Sequence, residues 1–255
     1  MSYYYPEDYM PFAERKLRWW LRALVERWGG VARRRRAVER LLPSGRILDV
    51  GCATGDFLTG MQKHGWDVHG VEIAPEAAAQ ASARLGAPIF AGDLLPANFP
   101  NEYFGVVTLW NVLEHLYEPT ASLREAFRIL KPGGWLILTV PNTESLDFRL
   151  FGRFWIGWDT PRHLYLFSPQ LLIKILRQIG FEPSGQECLY GSYSSFVLSL
   201  RFLAAERWGA RAGQFVDRWC LNNLALRALL TPACYIINAF KKGTMLALYA
   251  KKPGN

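Results

Sequence analysis

Residues 47–58 read ILDVGCATGDFL: an apolar run, an aspartate at 49, then glycines at 51 and 55. A run of this kind that ends in a glycine turn and passes into a helix places backbone N–H groups around a ligand. The chain repeats the alternation. RILDVG is followed by a helical stretch through Met61, then DVHGVEI, an alanine-rich helix from Pro75, PIFAGD, YFGVVTLWNV, a helix from Thr120 to Leu130, Pro132-Gly133-Gly134 and WLILTVPN. Strands alternating with helices of this length predict βαβ units, a parallel sheet with helices on both faces, and a ligand at the carboxyl ends of the strands.

Outside that core the pattern changes. Residues 12–28 set Leu17, Trp20, Leu21, Leu24 and Trp28 at helical spacing, with Arg15, Arg18 and Arg22 on another face, and a second short helix carrying RRRR at 33–36 runs to Leu42. Beyond WLILTVPN come the aromatic stretch SLDFRLFGRFWIGWDTPRHLYLFSP, a helix from Pro169 to Gly180, the strand FEPSGQECLY and, much later, a last strand TMLALYAKK. The expected organisation is a helical cap over 1–45, a ligand-binding core over 46–190, an apolar helical insertion over 191–240, and the last strand with a short tail over 241–255.

Composition bounds the function. With 255 residues, 50% hydrophobic and 20% charged, the chain can fill one core and carry appendages. A net charge of +8 and a pI near 9.4 favour an anionic partner: nucleic acid, a phosphorylated metabolite or an acidic lipid surface. Nucleic acid is not expected, because RRRR is short and the aromatics sit among aliphatics rather than along a basic face. Four cysteines without a C-x-x-C pair or a metal-type cluster argue for a reducing compartment, and zinc is not expected. The start, MSYYYPEDYM, does not read as a secretory signal, and no apolar run reaches the roughly 20 residues of a spanning helix. The expected location is cytoplasmic, with a peripheral place on the inner face of the membrane open to it.

The glycine loop is wrong for a dinucleotide. The pattern G-x-G-x-x-G fails at Ala53 and Asp56, and Asp49 and Asp56 would repel a pyrophosphate. A cofactor with a cationic end and no phosphate fits better, and S-adenosylmethionine carries an ammonium, a sulfonium, a ribose diol and an adenine. Glu72, 21 residues beyond Gly51, ends the second strand where an acid accepts from ribose hydroxyls. Asp93 ends the third, where it can accept from the adenine amino group with the Leu94 backbone beside it, and Asn111 closes the fourth. Taken in order over residues 46–142, ILDVGCATGDF, VEI, AGDLLP, FGVVTLWNVLEHL and LKPGGWLILTVPN resemble the successive motifs of class I S-adenosylmethionine-dependent methyltransferases. The resemblance implies a Rossmann-like α/β fold, a seven-stranded mostly parallel sheet with a reversed final strand. It also implies a cofactor site lined by Asp49, Gly51, Ala53, Gly55, Glu72, Ile73, Asp93, Leu94 and Asn111.

Methyl transfer from a sulfonium is an in-line displacement, and an alcohol or phenol acceptor must also lose a proton, a task that suits histidine. His115 in LEHL and His163 in PRHLYLFSP are the catalytic candidates; His64 and His69 read as structural. These two segments are similar to those of 3-demethylubiquinone O-methyltransferases and their relatives in lipid and glycan pathways. In that quinone group an acidic residue precedes the Glu-His pair and the set is associated with magnesium. Here Asn111 stands in its place, and Glu114 with His115 falls short of the oxygen ligands magnesium wants, so no bound metal is expected. Arg162 either binds an anionic group on the acceptor or forms a surface ion pair.

Tryptophan and arginine in the first helix, the FRLFGRFWIGW stretch and the insertion suit a membrane surface. In and just after the insertion Arg201, Arg207, Arg211, Arg218, Arg227, Lys241 and Lys242 stand against Glu206 and Asp217. The expected function is O-methylation of a hydrophobic or lipid-linked acceptor, such as a quinone or polyprenyl-linked glycan, at that surface. The alternatives are a soluble O- or N-methyltransferase of a polar metabolite or sugar, with the insertion as lid or dimer surface, and a non-catalytic cofactor-binding assembly partner.

Overall fold

The computed structural model describes residues 29–189, 192–221 and 223–254, so the helix expected at 12–28 lies outside the described residues. Seven strands form one sheet: β1 (Arg46–Val50), β2 (Asp67–Glu72), β3 (Ile89–Ala91), β4 (Phe104–Trp110), β5 (Leu130–Pro141), β6 (Glu182–Glu187) and β7 (Met245–Lys251). Their spatial order is β3-β2-β1-β4-β5-β7-β6. The first five pair in parallel, and β7 lies antiparallel between β5 and β6. This is the expected sheet with its reversed final strand.

Both faces are covered, which is why the central strands read as unbroken apolar runs. Neighbours on β1 point into different cores: Ile47 packs with Phe57, Leu58 and Met61, whereas Leu48 packs with Leu123, Ile129 and Leu172. The first core lies under α1 (Gly30–Glu39), α2 (Asp56–Gln62) and α3 (Pro75–Leu85); the second lies under α4 (Pro119–Ile129) and α6 (Pro169–Ile179). Each fully buried Leu, Ile or Phe contributes about 1.5–3 kcal/mol, so the two clusters hold the sheet that positions the loops. Local signals set the helix ends. Pro75 opens α3 and Gly86, at φ +62°, closes it. Ser168 caps α6 by accepting from the Leu171 N–H, and Gly180, at φ +115°, stops it.

The aromatic stretch after β5 folds inward more than its composition predicts. Short α5 (Leu146–Phe151) leads into it, and Phe151 and Trp155 are buried, Trp155 edge-on to Phe148 and Trp158. Ser199 fixes this stretch by accepting from the Ile156 N–H at 3.0 Å. Ser199 belongs to α7 (Ser192–Trp208), which is followed by α8 (Ala210–Val216), a π-helical turn over Asp217–Leu221 and α9 (Leu224–Ala239) before the chain returns as β7.

Candidate active site

The strand order reverses between β1 and β4, and the loops that leave them diverge to opposite faces, which opens a crevice at their carboxyl ends. The loop after β1 turns through three left-handed residues, Gly51 (φ +71°), Ala53 (φ +49°) and Gly55 (φ +79°). Such a conformation at a residue with a Cβ costs about 1–2 kcal/mol. A specific bond offsets it: the Ala53 N–H donates to Glu72 Oε2 at 2.8 Å. Gly51 has a different reason to lack a side chain, since a Cβ there would sit 2.5 Å from Val112 Cγ2. The loops after β1 and β4 therefore touch.

Glu72 is buried at the end of β2. Its Oε1 accepts from the Ala74 N–H at 2.9 Å, so each carboxylate oxygen holds one backbone amide and keeps a lone pair for a further donor. Sequence reasoning gave Glu72 only a ligand to hold; the structure adds that it shapes the glycine loop. Ala91 of β3 lies opposite Glu72, and two residues on, exposed Asp93 accepts from the Leu94 N–H at 2.6 Å. Leu94 itself is buried, but Ile73 is 44% exposed, an apolar shelf between the two acids. Asn111 takes a left-handed turn (φ +60°). Its N–H donates to Thr139 Oγ1, its side-chain oxygen accepts from the same hydroxyl at 3.0 Å, and its amide nitrogen reaches Met245 Sδ at 3.5 Å. The Asn111 side chain is thus directed to β5 and β7.

Asp49 is buried beneath the loop and accepts from Thr108 Oγ1 at 2.6 Å. Burial pushes its carboxyl up to about 7, against the pull of the Thr108 hydroxyl and the Arg34 charge, with the Glu72 charge adding to the rise. A cationic ligand near Asp49 favours the ionised form, so its binding releases the proton. Affinity for S-adenosylmethionine should accordingly rise as pH passes upward through about 7 and fall below it. Titration calorimetry across that range checks the sign, and Asp49→Asn should flatten the dependence.

The second half of the site faces the same crevice from the loop after β4. Residues Leu113–His115 form a single 3-10 turn. The Glu114 carbonyl accepts from the Leu164 N–H at 2.9 Å and the Tyr165 N–H at 3.3 Å, so the PRHLY segment is stitched to this turn. His115 and His163, distant in sequence, come together with ring centroids 4.7 Å apart. Each ring is fixed by a backbone carbonyl: His115 Nδ1 to Arg162 O at 3.0 Å, His163 Nδ1 to Gly157 O at 2.7 Å. A carbonyl only accepts, so Nδ1 carries the proton in both rings and Nε2 is the basic nitrogen. Burial lowers both imidazoles, His115 to about 4, and keeps them neutral at ordinary pH. Glu114 is fully buried, with its carboxyl pushed up to about 8 by burial although the backbone amide and Asn111 favour its charged form. Arg162 pairs with Asp159 at 2.5 Å, the ion-pair alternative of its two expected roles. His64 bonds Gly60 O on α2, and His69 packs on Tyr103 and Phe104 early in β2.

Sequence reasoning missed Thr108, Thr139 and Asp159. The two threonines carried a signal, each being the polar residue of an otherwise apolar run, VVTLW and LILTV.

The magnesium implied by the quinone-enzyme resemblance does not fit these residues. The place of its extra acid is taken by Asn111, turned to Thr139 and Met245, and the groups around Glu114 are imidazoles rather than oxygens.

The sequence matches the model of a family described as "Methyltransferase domain" over residues 14–184. Among curated relatives, the ubiquinone biosynthesis O-methyltransferase of Bordetella avium is 30% identical over 152 residues, 55% of this chain and 63% of that one. The protein of the same name from Xanthomonas campestris is 33% identical over 116 residues, 43% of this chain and 48% of that one. The aligned part thus spans less than two thirds of these relatives. Among solved structures, a 4+2 cyclase is 22% identical with a TM-score of 0.58, covering 89% of this chain and 83% of that one. The phosphoethanolamine N-methyltransferase 2 of Haemonchus contortus, solved with phosphomonomethylethanolamine and S-adenosylhomocysteine, is 17% identical with a TM-score of 0.57, covering 89% and 53%. These structures share the fold, and the cyclase shows that the fold alone does not fix the reaction. The family match runs from before α1 to β6 and takes in the whole glycine loop and both histidines: the chain belongs to the class I S-adenosylmethionine-dependent methyltransferases.

Proposed function

We propose that this protein transfers the methyl group of S-adenosylmethionine to an oxygen of a hydrophobic or lipid-linked acceptor, such as a quinone or polyprenyl-linked glycan, at a membrane surface. Asp49, Gly51, Ala53 and Gly55 hold the methionine end, Glu72 the ribose, Ile73, Asp93 and Leu94 the adenine, and Asn111 the wall nearest the methyl. The acceptor oxygen attacks the methyl carbon in line with the C–S bond. That bond breaks with its electron pair left on sulfur, neutral S-adenosylhomocysteine departs, and the hydroxyl proton passes to a nearby imidazole, His163 Nε2 in the first instance and His115 beside it. The residues' contribution is position, a preset tautomer and exclusion of water.

The membrane part rests on one observation, the exposed apolar and basic surface of the insertion. Trp208, Phe215, Trp219, Leu229, Ile236 and Phe240 are each more than half exposed, and exposed Arg207, Arg211 and Arg218 lie between the aromatic positions. Leu229, Ile236 and Phe240 recur on one side of α9. Patches of this size joined to arginines fit the headgroup region, where tryptophan and arginine bridge apolar and charged layers. No described helix is by itself long and apolar enough to cross a membrane; Ala210–Leu221 and Ala225–Ala239 reach that composition only together, bent by 82°. A cavity of about 550 Å³ between this insertion and the aromatic stretch is lined by Phe154, Trp155, Trp158, Phe202 and Asp159. The Asp159 carboxylate at its wall is 3.8 Å from His163 Nε2, which places the cavity beside the histidines.

In flotation with anionic vesicles at low salt, the protein should rise with the lipid. Arg207→Gln, Arg211→Gln and Arg218→Gln combined should weaken partitioning by about 100-fold, at about 1 kcal/mol per arginine. Protein that stays in the bottom fraction sinks the membrane part and leaves the methyl transfer standing.

A further inference from the structure

Methyl transfer with loss of the acceptor's proton moves a positive charge rather than removing one. As the C–S bond leaves its electron pair on sulfur, the sulfonium is neutralised, and as the acceptor hydroxyl gives its proton to His163 Nε2, an imidazolium forms. Net charge in the crevice is unchanged, but its seat shifts from sulfur to a ring that burial discourages from charging. We infer that Asp159 is a positioning residue for this step, acting through His163: its carboxylate bonds the imidazolium and makes no bond to the neutral ring. The inference rests on the proposed role of His163 as proton acceptor.

Three observations carry it. The Gly157 carbonyl takes the proton on His163 Nδ1, so Nε2 bears a lone pair in the resting protein. Asp159 Oδ2 faces that nitrogen at 3.8 Å, acceptor toward acceptor, and only a proton on Nε2 turns the approach into a charge-assisted bond. An interaction made only after the proton has moved lowers the barrier; one made equally before and after does not. The carboxylate is also held in place for this. Asp159 stands in the left-handed region at φ +31°, which aspartate and asparagine tolerate, and its carbonyl accepts from the Arg162 N–H at 2.9 Å and the His163 N–H at 3.2 Å. Its Oδ1 takes the Arg162 guanidinium at 2.5 Å, which leaves Oδ2 turned to the ring. Finally, the side chain lines the cavity beside the aromatic stretch and is 21% exposed, so a proton received by Nε2 has a route across the carboxylate to water.

The groups that face His163 are Asp159 and Arg162 on its own segment and, from the turn after β4, His115 and Glu114. Burial lowers the His163 imidazole first of all, the Gly157 carbonyl and Asp159 draw it back up, and Arg162 adds to the fall. Burial puts His115 at about 4 and Glu114 at about 8, so between those values neither brings a charge to the ring. Asp159 is thus the one anion set against the Arg162 charge.

Two variants that break the same ion pair separate charge from packing. Asp159→Asn removes the negative charge and turns an –NH2 donor toward Nε2, so the His163 titration midpoint should fall by about one pH unit. Arg162→Gln removes the positive charge, so the midpoint should rise by about as much. A purely structural pair would move both midpoints in one direction, since either change frees the same segment. The midpoint is read on full-length protein without an acceptor, from the His163 Cε1–H resonance, assigned by its loss in His163→Gln, with circular dichroism to show that each variant is folded. With labelled S-adenosylmethionine and a lipid extract near neutral pH, Asp159→Asn should also lower turnover by about 10-fold and leave S-adenosylhomocysteine affinity at the parent value. The inference is overturned if Asp159→Asn leaves the midpoint in place or raises it, if both variants shift it in one direction, or if Asp159→Asn turns over as fast as the parent. A parent protein that methylates nothing in the lipid extract sinks the acceptor class, and the two resonance titrations still decide for or against Asp159.

Discussion

Glu72→Ala should lower affinity for S-adenosylmethionine by about 100-fold, because the carboxylate is proposed as the acceptor for two ribose hydroxyls. A hydrogen bond to a charged group contributes about 1.5–3 kcal/mol, so losing the pair removes roughly 3 kcal/mol or more of binding. The same change removes the acceptor of the Ala53 and Ala74 amides. Ala53 then keeps its left-handed turn without the bond that offset it, and the melting temperature should fall as well. Glu72→Gln separates the two roles. One amide oxygen can serve a backbone N–H, but the –NH2 group meets the other N–H donor to donor, so the loop suffers while part of the ribose contact survives. Calorimetry with S-adenosylhomocysteine and a thermal melt on both variants read the two effects apart. A lowered melting temperature with unchanged affinity would assign Glu72 to the loop alone.

The sequence carried the fold because the fold is written in short-range signals. RILDV, HGVEI, FGVVTLW and WLILTV are apolar on both sides, and Pro75, Gly86, Pro169 and Gly180 sit where helices begin and end. The residues proposed for the cofactor stand out in the sequence for the same reason, since each follows a recognisable strand. The acceptor half was not. His115 and His163 lie 48 positions apart on irregular segments, and they are joined by hydrogen bonds from the Leu164 and Tyr165 amides to the Glu114 carbonyl and from His115 Nδ1 to the Arg162 carbonyl, which no periodicity announces. Glu114 shows the same limit: in sequence it is half of a poor magnesium site, and only the structure shows that it is buried and that His163 lies beside it. The aromatic stretch misled by composition. FRLFGRFWIGW has the residues of a membrane belt, yet Phe151 and Trp155 turn inward because α7 supplies Phe196 and Ser199 to receive them, leaving Leu150 and Trp158 outside.

His163→Gln lowers kcat by about 10³-fold while the affinity for S-adenosylhomocysteine stays at the parent value. The glutamine is near in size and its –NH2 group can still donate to the Gly157 carbonyl, so the segment stitched to Glu114 keeps its place. What it cannot do is accept a proton in the transition state, a contribution worth about 10²–10⁴ in rate. The residues proposed to hold the cofactor lie on the loops after β1, β2 and β3, with Asn111 after β4 turned to Thr139 and Met245, whereas His163 is held by the Gly157 carbonyl, which is why binding should be spared. The split between kcat and cofactor affinity is therefore the diagnostic. A parallel fall in both would mean that the histidine only supports the wall of the crevice, and unchanged values of both would move the proton transfer to His115. Added imidazole should restore part of the lost turnover to the variant, because the missing group is the proton acceptor.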